Sequence, residues 1–301
     1  MSPIVHLSLG DFPDSQSHRA VLLQRGALRS GRHGPLKRFQ DMSAVDFARF
    51  VNDLASRSGE AIMPFFRTAM MTQNKAGDGG FDPVTEGDRA AEMVMRRMIK
   101  ETFPAHGIVG EEFGSENTQA EFVWVLDPID GTRAFVSGLP VWGTLIGLMR
   151  GGTPAYGMMH QPFTRERYAG DGQSARYVGP DGERTLRTRA CAELAAATVM
   201  TTSPRLFSPH DRKRFEAVEK VARLTRFGCD CYAYCMLAAG HVDLVIEAGL
   251  QPYDIVALIP IIEGAGGIVT TWDGGPAARG GRIIASGDRR IHDAALAILD
   301  K

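Results

Sequence analysis

The residues best placed to do chemistry are Asp127 and Asp130, separated by Pro128-Ile129 and followed at once by Gly131-Thr132. Two carboxylates three positions apart on a rigid turn can aim at one point, and paired hard oxygen donors suit Mg2+. Gly131 and Thr132 then open a short helix, whose first backbone N–H groups lack helical partners and stabilise an anion. Metal beside phosphate is the functional reading. The plain alternative is a strand ending in an Asp-Pro turn, with Asp130 capping the next helix. What favours the first is the order of the parts. Phe122-Val123-Trp124-Val125-Leu126 is an apolar run suited to a strand covered on both faces, and it leads directly into the acids. Proline lacks an N–H, so the chain after Asp127 is expected to leave the strand.

Other acids sit at element boundaries where a structural duty alone would explain them. Thr85-Glu86-Gly87-Asp88 opens a helix with Val94, Met98 and Ile99 on its apolar side, and Thr85 with Asp88 forms a capping-box pattern. Glu111-Glu112 follows a short strand, Ile108-Val109-Gly110; a doubled glutamate there is commonly no more than solvated charge. Asp254 stands at the start of an apolar helix, where a carboxylate serves as an N-terminal cap.

Asp127-Pro128-Ile129-Asp130-Gly131-Thr132 resembles the signature of the inositol monophosphatase family, the Mg2+-dependent, lithium-sensitive phosphomonoesterases. Three more segments match in order: Asp82-Pro83-Val84-Thr85-Glu86-Gly87-Asp88, Gly110-Glu111-Glu112, and Pro252-Tyr253-Asp254-Ile255-Val256-Ala257 with Glu263-Gly264-Ala265-Gly266-Gly267 behind it. The resemblance spans about residues 43–300 and implies a layered αβαβα sandwich. It further implies two or three Mg2+ ions, held by Glu111, Asp127, the Ile129 carbonyl, Asp130 and Asp254. Asp127 would bridge two ions. Asp88 and Thr132 would orient the attacking water, with Glu111 assisting, and the Gly131 and Thr132 amides would hold phosphate. Of the doubled pair, the family match selects Glu111 over Glu112. Tyr253 stands where the family usually carries Trp.

The run from Gly249 to Gly264 most resembles the branch that hydrolyses histidinol phosphate, a step of histidine biosynthesis. Glu247 matches the position that contacts the alcohol part of the ester. Asp230 adds an acid where inositol-type relatives carry small residues, and Arg226 lies near enough in sequence to offset it. An extra acid favours a cationic alcohol. L-histidinol phosphate is therefore the expected substrate, inositol monophosphate the alternative. A protein-binding role in a transcription complex, known in the family, is the alternative of a different class. The family also implies a homodimer.

The whole chain is consistent with such an enzyme. Its 301 residues carry a formal charge of −1, which gives no reason to expect nucleic acid or an acidic membrane surface as partner. It lacks an apolar run of membrane-spanning length and an apolar leader near its start, and four cysteines without a disulfide framework suit a reduced, cytoplasmic enzyme. Cys229, Cys231 and Cys235 read as buried packing residues, not metal ligands, since no fourth ligand is nearby.

Three segments are expected. Residues 1–42 form a Gly-, Pro- and Arg-containing extension, disordered or preceding a true start at Met42; positions 1–41 hold +3 of charge and the remainder −4. Residues 43–187 form an α+β half, with a helix from Ser43 to about Thr68, a polar Gln73–Gly80 loop that the family resemblance places over the site, and a hairpin of Gly143–Arg150 and Thr153–Gln161. Residues 188–301 form an α/β half. Its expected strands are Thr198–Thr201, Val221–Thr225, Val242–Ile246, Gly267–Thr271 and Arg282–Ala285, and its helices include 254–265, kinked at Pro260.

Overall fold

The computed structural model describes residues 44–68, 73–74, 83–84 and 86–300. The 1–42 extension, Ser43, Thr85 and positions 75–80 of the expected loop lie outside these. The first helix, α1 (Ala44–Ile62), is followed by a two-residue strand pair, β1 (Gln73–Asn74) and β2 (Pro83–Val84). After α2 (Glu86–Thr102) come β3 (Gly107–Gly110), β4 (Gly114–Glu116), β5 (Phe122–Asp130) and the short α3 (Thr132–Val136). A meander of β6 (Gly143–Arg150), β7 (Thr153–Gln161), β8 (Glu166–Gly170), β9 (Ala175–Gly179) and β10 (Gly182–Thr185) completes this part. The remainder alternates: β11 (Thr198–Thr201), α4 (Pro209–Glu219), β12 (Leu224–Phe227), α5 (Asp230–Ala238), β13 (Leu244–Leu250), α6 (Pro252–Ile255), α7 (Leu258–Gly264), β14 (Ile268–Thr271), β15 (Gly281–Ser286) and α8 (Arg289–Leu299).

Two sheets and three helical layers result. The eight-stranded sheet has the order β10-β9-β8-β7-β6-β5-β3-β4, antiparallel except for β3 beside β5. The five-stranded sheet runs β12-β11-β13-β15-β14, with β11 parallel to both neighbours. Helices α1 and α2 cover the outer face of the first sheet, α5 to α7 lie between the sheets, and α4 and α8 cover the second. This is the αβαβα sandwich. The α1 residues Phe47, Val51, Leu54 and Ala55 recur at helical spacing and are all buried, which holds the helix against the sheet. Each such side chain contributes about 1.5–3 kcal/mol when fully buried, less for Ala.

Several boundaries differ from expectation for identifiable reasons. Helix α1 stops at Ile62 and residues 63–67 form turns, because Pro64 cannot extend a helix. The buried face of α2 is Ala91, Met95 and Ile99; Val94 and Met98 are only half-buried. Strand β5 does not end at Asp127 but continues through Pro128 to Asp130, its register shifting between the two acids. A bulge is where a strand tolerates proline. The expected kinked helix over 254–265 is two helices, broken at Val256–Ala257, so that Pro260 falls in the first turn of α7 where its missing N–H costs nothing. Strand β12 starts three residues later than expected.

One packing feature positions the helix that carries Asp254. Gly147, Gly157 and Gly170 lie in register across β6, β7 and β8. A Cβ at Gly157 would sit 1.7 Å from the Ala257 carbonyl oxygen, one at Gly147 2.9 Å from Val256, and one at Gly170 2.4 Å from the Pro260 oxygen. The absence of three side chains lets the α6–α7 backbone rest directly on the sheet. Gly157→Ala should therefore lower unfolding free energy by at least about 1–3 kcal/mol, as overpacking does. Urea unfolding checks this; an unchanged midpoint would contradict the close approach.

His292 on α8 is fully buried between the hydroxyls of Ser286 (2.8 Å) and Thr270 (3.0 Å). Burial pushes its pKa down to about 4, helped by Arg289 and opposed by Asp293. An unfolded imidazole titrates near 6.5, so the unfolded chain binds this proton more readily. Stability present above pH 6.5 should be lost as pH falls towards 4. Thermal unfolding of the wild type should lose more across that window than His292→Asn; equal losses would contradict it.

Candidate metal and phosphate site

The bulge in β5 turns both of its acids toward α6. Carboxylate oxygens of Asp127, Asp130 and Asp254 all lie within 4.8 Å of one another, and among the described residues no other group of metal-ligating side chains converges this way. Each acid is held by a different element. Asp127 is almost wholly buried and its Oδ1 has no hydrogen-bond partner. Asp130 Oδ2 accepts the Cys231 N–H at 2.5 Å, in the first turn of α5. The alternative reading, in which Asp130 caps the helix after it, is thereby corrected: α3 has Gly131 at its N-cap and no side-chain cap. Asp254 is the N3 residue of α6, not its N-cap. Its Oδ2 accepts the Gln251 N–H at 2.7 Å while Gln251 caps in return.

Glu111 and Glu112 lie in different surroundings. Glu111 lines the cavity beside Asp127 and its N–H donates to the Leu126 carbonyl at 3.2 Å. The Glu112 carboxylate is buried 3.9 Å from Arg89. The turn between them is fixed by Glu92, fully buried on α2, whose oxygens accept the N–H groups of Glu112 (2.7 Å) and Phe113 (3.1 Å). Arg96, 2.7 Å from Glu92, balances its charge. Nothing in the sequence marked Glu92, since an acid on a helix is usually solvent-facing.

The cavity holds about 340 Å³ and also takes in Ile129, Gly131, Thr132, Arg133, Thr202, Leu206, Asp230, Tyr234, Glu247, Leu250 and their neighbours. Gly131 has φ 90°, and a Cβ there would stand 3.2 Å from Asp230 Oδ2, so both conformation and crowding require glycine. The Thr132 hydroxyl donates to the Ile129 carbonyl at 3.0 Å, which fixes the backbone at the start of α3. Asp88 is buried in the first turn of α2, outside the lining residues.

On the far side, Glu247 is buried in the middle of β13, just before its register shift, and accepts from the Thr201 hydroxyl (3.1 Å) and the Thr202 N–H (2.5 Å). Asp230 begins α5 in a left-handed conformation. Arg226, expected near the substrate, is exposed on the edge strand β12 and does not line the cavity. Arg133, Thr202 and Tyr234 do, and sequence reading passed over all three. Tyr234 was legible in principle: it lies four residues after Asp230, on the same helix face. The cysteine cluster is as expected for Cys231 and Cys235, which are buried free thiols; Cys229 is only half-buried, at the N-cap of α5.

Electrostatics decides what this cluster can accept. Burial, then Glu111, Asp130 and Asp254, push the Asp127 carboxyl well above the usual carboxylate range. Burial, then Asp230 and Asp254, do the same to Asp130, and the Cys231 N–H opposes them. Such acids are unfavourable as a bare ionised group and favourable around a divalent cation. The all-oxygen donor set and the orphaned Asp127 Oδ1 both fit Mg2+.

The sequence pattern of the inositol monophosphatase family matches residues 44–301. The chain is 43% identical over 266 residues to a protein named bifunctional phosphatase IMPL2, chloroplastic, from Arabidopsis thaliana, covering 84% of this chain and 75% of the relative. It is 36% identical to a histidinol-phosphatase of Mycobacterium tuberculosis, over 72% of this chain and 85% of that one. Among solved structures, an inositol monophosphatase from Zymomonas mobilis superposes with a TM-score of 0.76 at 40% identity, covering 85% and 98% of the two chains. The chain belongs to the inositol monophosphatase family, and it is a Mg2+-dependent phosphatase of that type. No helix among the described residues is long and apolar enough to cross a membrane.

If the acids serve a cation, Mg2+ should raise the melting temperature of the wild type and EDTA should reverse the gain. A hundredfold excess over Kd is worth about 2.7 kcal/mol. Asp130→Asn should fold, since an amide oxygen can still accept the Cys231 N–H, yet show little of the Mg2+ gain. Equal Mg2+ stabilisation of both proteins in a thermal-shift titration would refute the assignment.

Proposed function

We propose that the chain hydrolyses L-histidinol phosphate to L-histidinol and phosphate. The observation that carries this reading is the pair of acids, Asp230 and Glu247, lining the cavity beyond the metal-binding acids. Burial pushes Glu247 up to about 7 against the Thr202 and Thr201 bonds, and Asp230 up to about 6 against Thr202 and Arg133. Two acids reluctant to ionise in an enclosed space are suited to a cationic alcohol, and histidinol carries an ammonium. The relatives named for histidinol phosphate support the reading.

Asp127, Asp130, Asp254 and Glu111 would hold the ions. A divalent cation held there would supply charge neutralisation at the phosphate ester and a more acidic water. The chain's own residues set the geometry. The Cys231 N–H keeps Asp130 turned toward Asp254, and Gln251 fixes Asp254. The Thr132 hydroxyl ties the Gly131-Thr132 turn to Ile129, holding the amides that would face phosphate oxygens. By the family resemblance Asp88, from the first turn of α2 outside the cavity lining, and Thr132 would orient the water. Asp230 and Glu247 would bind the departing alcohol.

A second reading, inositol phosphate hydrolysis, is favoured by Arg133, which lines the same cavity and offsets Asp230. Comparing kcat/KM decides: L-histidinol phosphate should exceed inositol 1-phosphate by tenfold or more, on the order of one charge-assisted hydrogen bond. Asp230→Asn keeps a residue that tolerates the left-handed conformation and should narrow that ratio. A wild type that prefers inositol 1-phosphate would overturn the proposal.

A further inference from the structure

Tyr234 is 3% exposed and lines the cavity, yet its hydroxyl has no hydrogen-bond partner in the described structure. A buried phenol normally finds a partner, and leaving one unmatched is unfavourable. A fold has an easy remedy in phenylalanine, so the oxygen is retained for something other than packing. Its setting shows what. Tyr234 lies one helical turn beyond Asp230 on α5, and the charges that act on it are, in descending order, Glu247, Asp130, Asp254 and Asp230. The cavity it lines holds both the acids assigned to metal and the two assigned to the alcohol.

We infer that Tyr234 is a specificity-determining residue whose hydroxyl oxygen, with the carboxylates of Asp230 and Glu247, receives the primary ammonium of the substrate. This rests on the proposed substrate and deepens it. An ammonium has three N–H donors and no acceptor, so it is satisfied by three oxygens. Two are supplied by acids. Glu247 is immobilised by Thr201 and Thr202, and Asp230 by its place at the helix start. The phenol supplies the third without adding another charge to a crowded site. Its proton is retained at neutral pH, because burial and the surrounding acids push its pKa up. With no partner in the fold, the oxygen's lone pairs are left for the substrate.

The discriminating comparison uses L-histidinol phosphate and its des-amino analogue, 3-(imidazol-4-yl)propyl phosphate, with Mg2+-loaded wild type and Tyr234→Phe. The wild type should prefer the amine. In Tyr234→Phe the ratio of kcat/KM values for the two esters should fall about tenfold, the loss of one hydrogen bond to a charged group. Because the oxygen has no partner in the fold, the variant should melt no lower than the wild type. A wild type with no preference for the amine defeats the substrate proposal and this inference with it. A wild type that prefers the amine beside a variant that keeps the same ratio defeats the Tyr234 assignment alone. A lowered melting temperature with an unchanged ratio would show that the hydroxyl serves the fold.

Discussion

The molecule is built around an arrangement that electrostatics alone opposes. Three carboxylates with oxygens inside 4.8 Å of each other, and a fourth beside them, repel one another, most of all at the buried Asp127. Everything that holds them comes from outside the cluster. A bulge aims two of them from one strand, a capping box fixes the third, and the first turn of α5 anchors Asp130 across the interval between the two sheets. The fold spends packing energy to maintain this, and a divalent cation is what makes the expense reasonable.

The glycine row across β6, β7 and β8 is the counterpart of that arrangement in the core. It lets α6 and α7 lie closer to the sheet than side chains would permit, and so brings a helix from late in the chain against the end of β5. The same middle layer presents α5, whose start faces both Asp130 and Gly131. One helix thereby lines the metal side of the cavity and the side assigned to the alcohol. Substrate choice and metal binding are consequently joined through α5, from Asp230 to Tyr234.

Much of this was legible in the residues, and unevenly so. The hairpin of β6 and β7 and strand β11 carry clear local signals, and their limits agree with the structure. The Asp127–Thr132 order and the ordered acidic motifs pointed to one metal site because chemistry constrains residue type there. What escaped was set by tertiary contact. Glu92 supports the Glu111 turn, Arg133 and Tyr234 reach the cavity, and Arg226 does not. Apart from Tyr234, which shares a face of α5 with Asp230, none of these follows from local pattern, because each depends on which part of a distant element lies opposite. Pro128 within β5 and the break before Pro260 show the same rule: proline marked the right places, but bulge and helix start were chosen by packing.

The central claim is that the acids of β5 and α6 surround a divalent cation. Anomalous diffraction from crystals grown with Mn2+ in place of Mg2+ tests it most directly. The account predicts anomalous density between Asp127, Asp130 and Asp254, with Glu111 at its edge. Density elsewhere, with those carboxylates left without an ion, would contradict it.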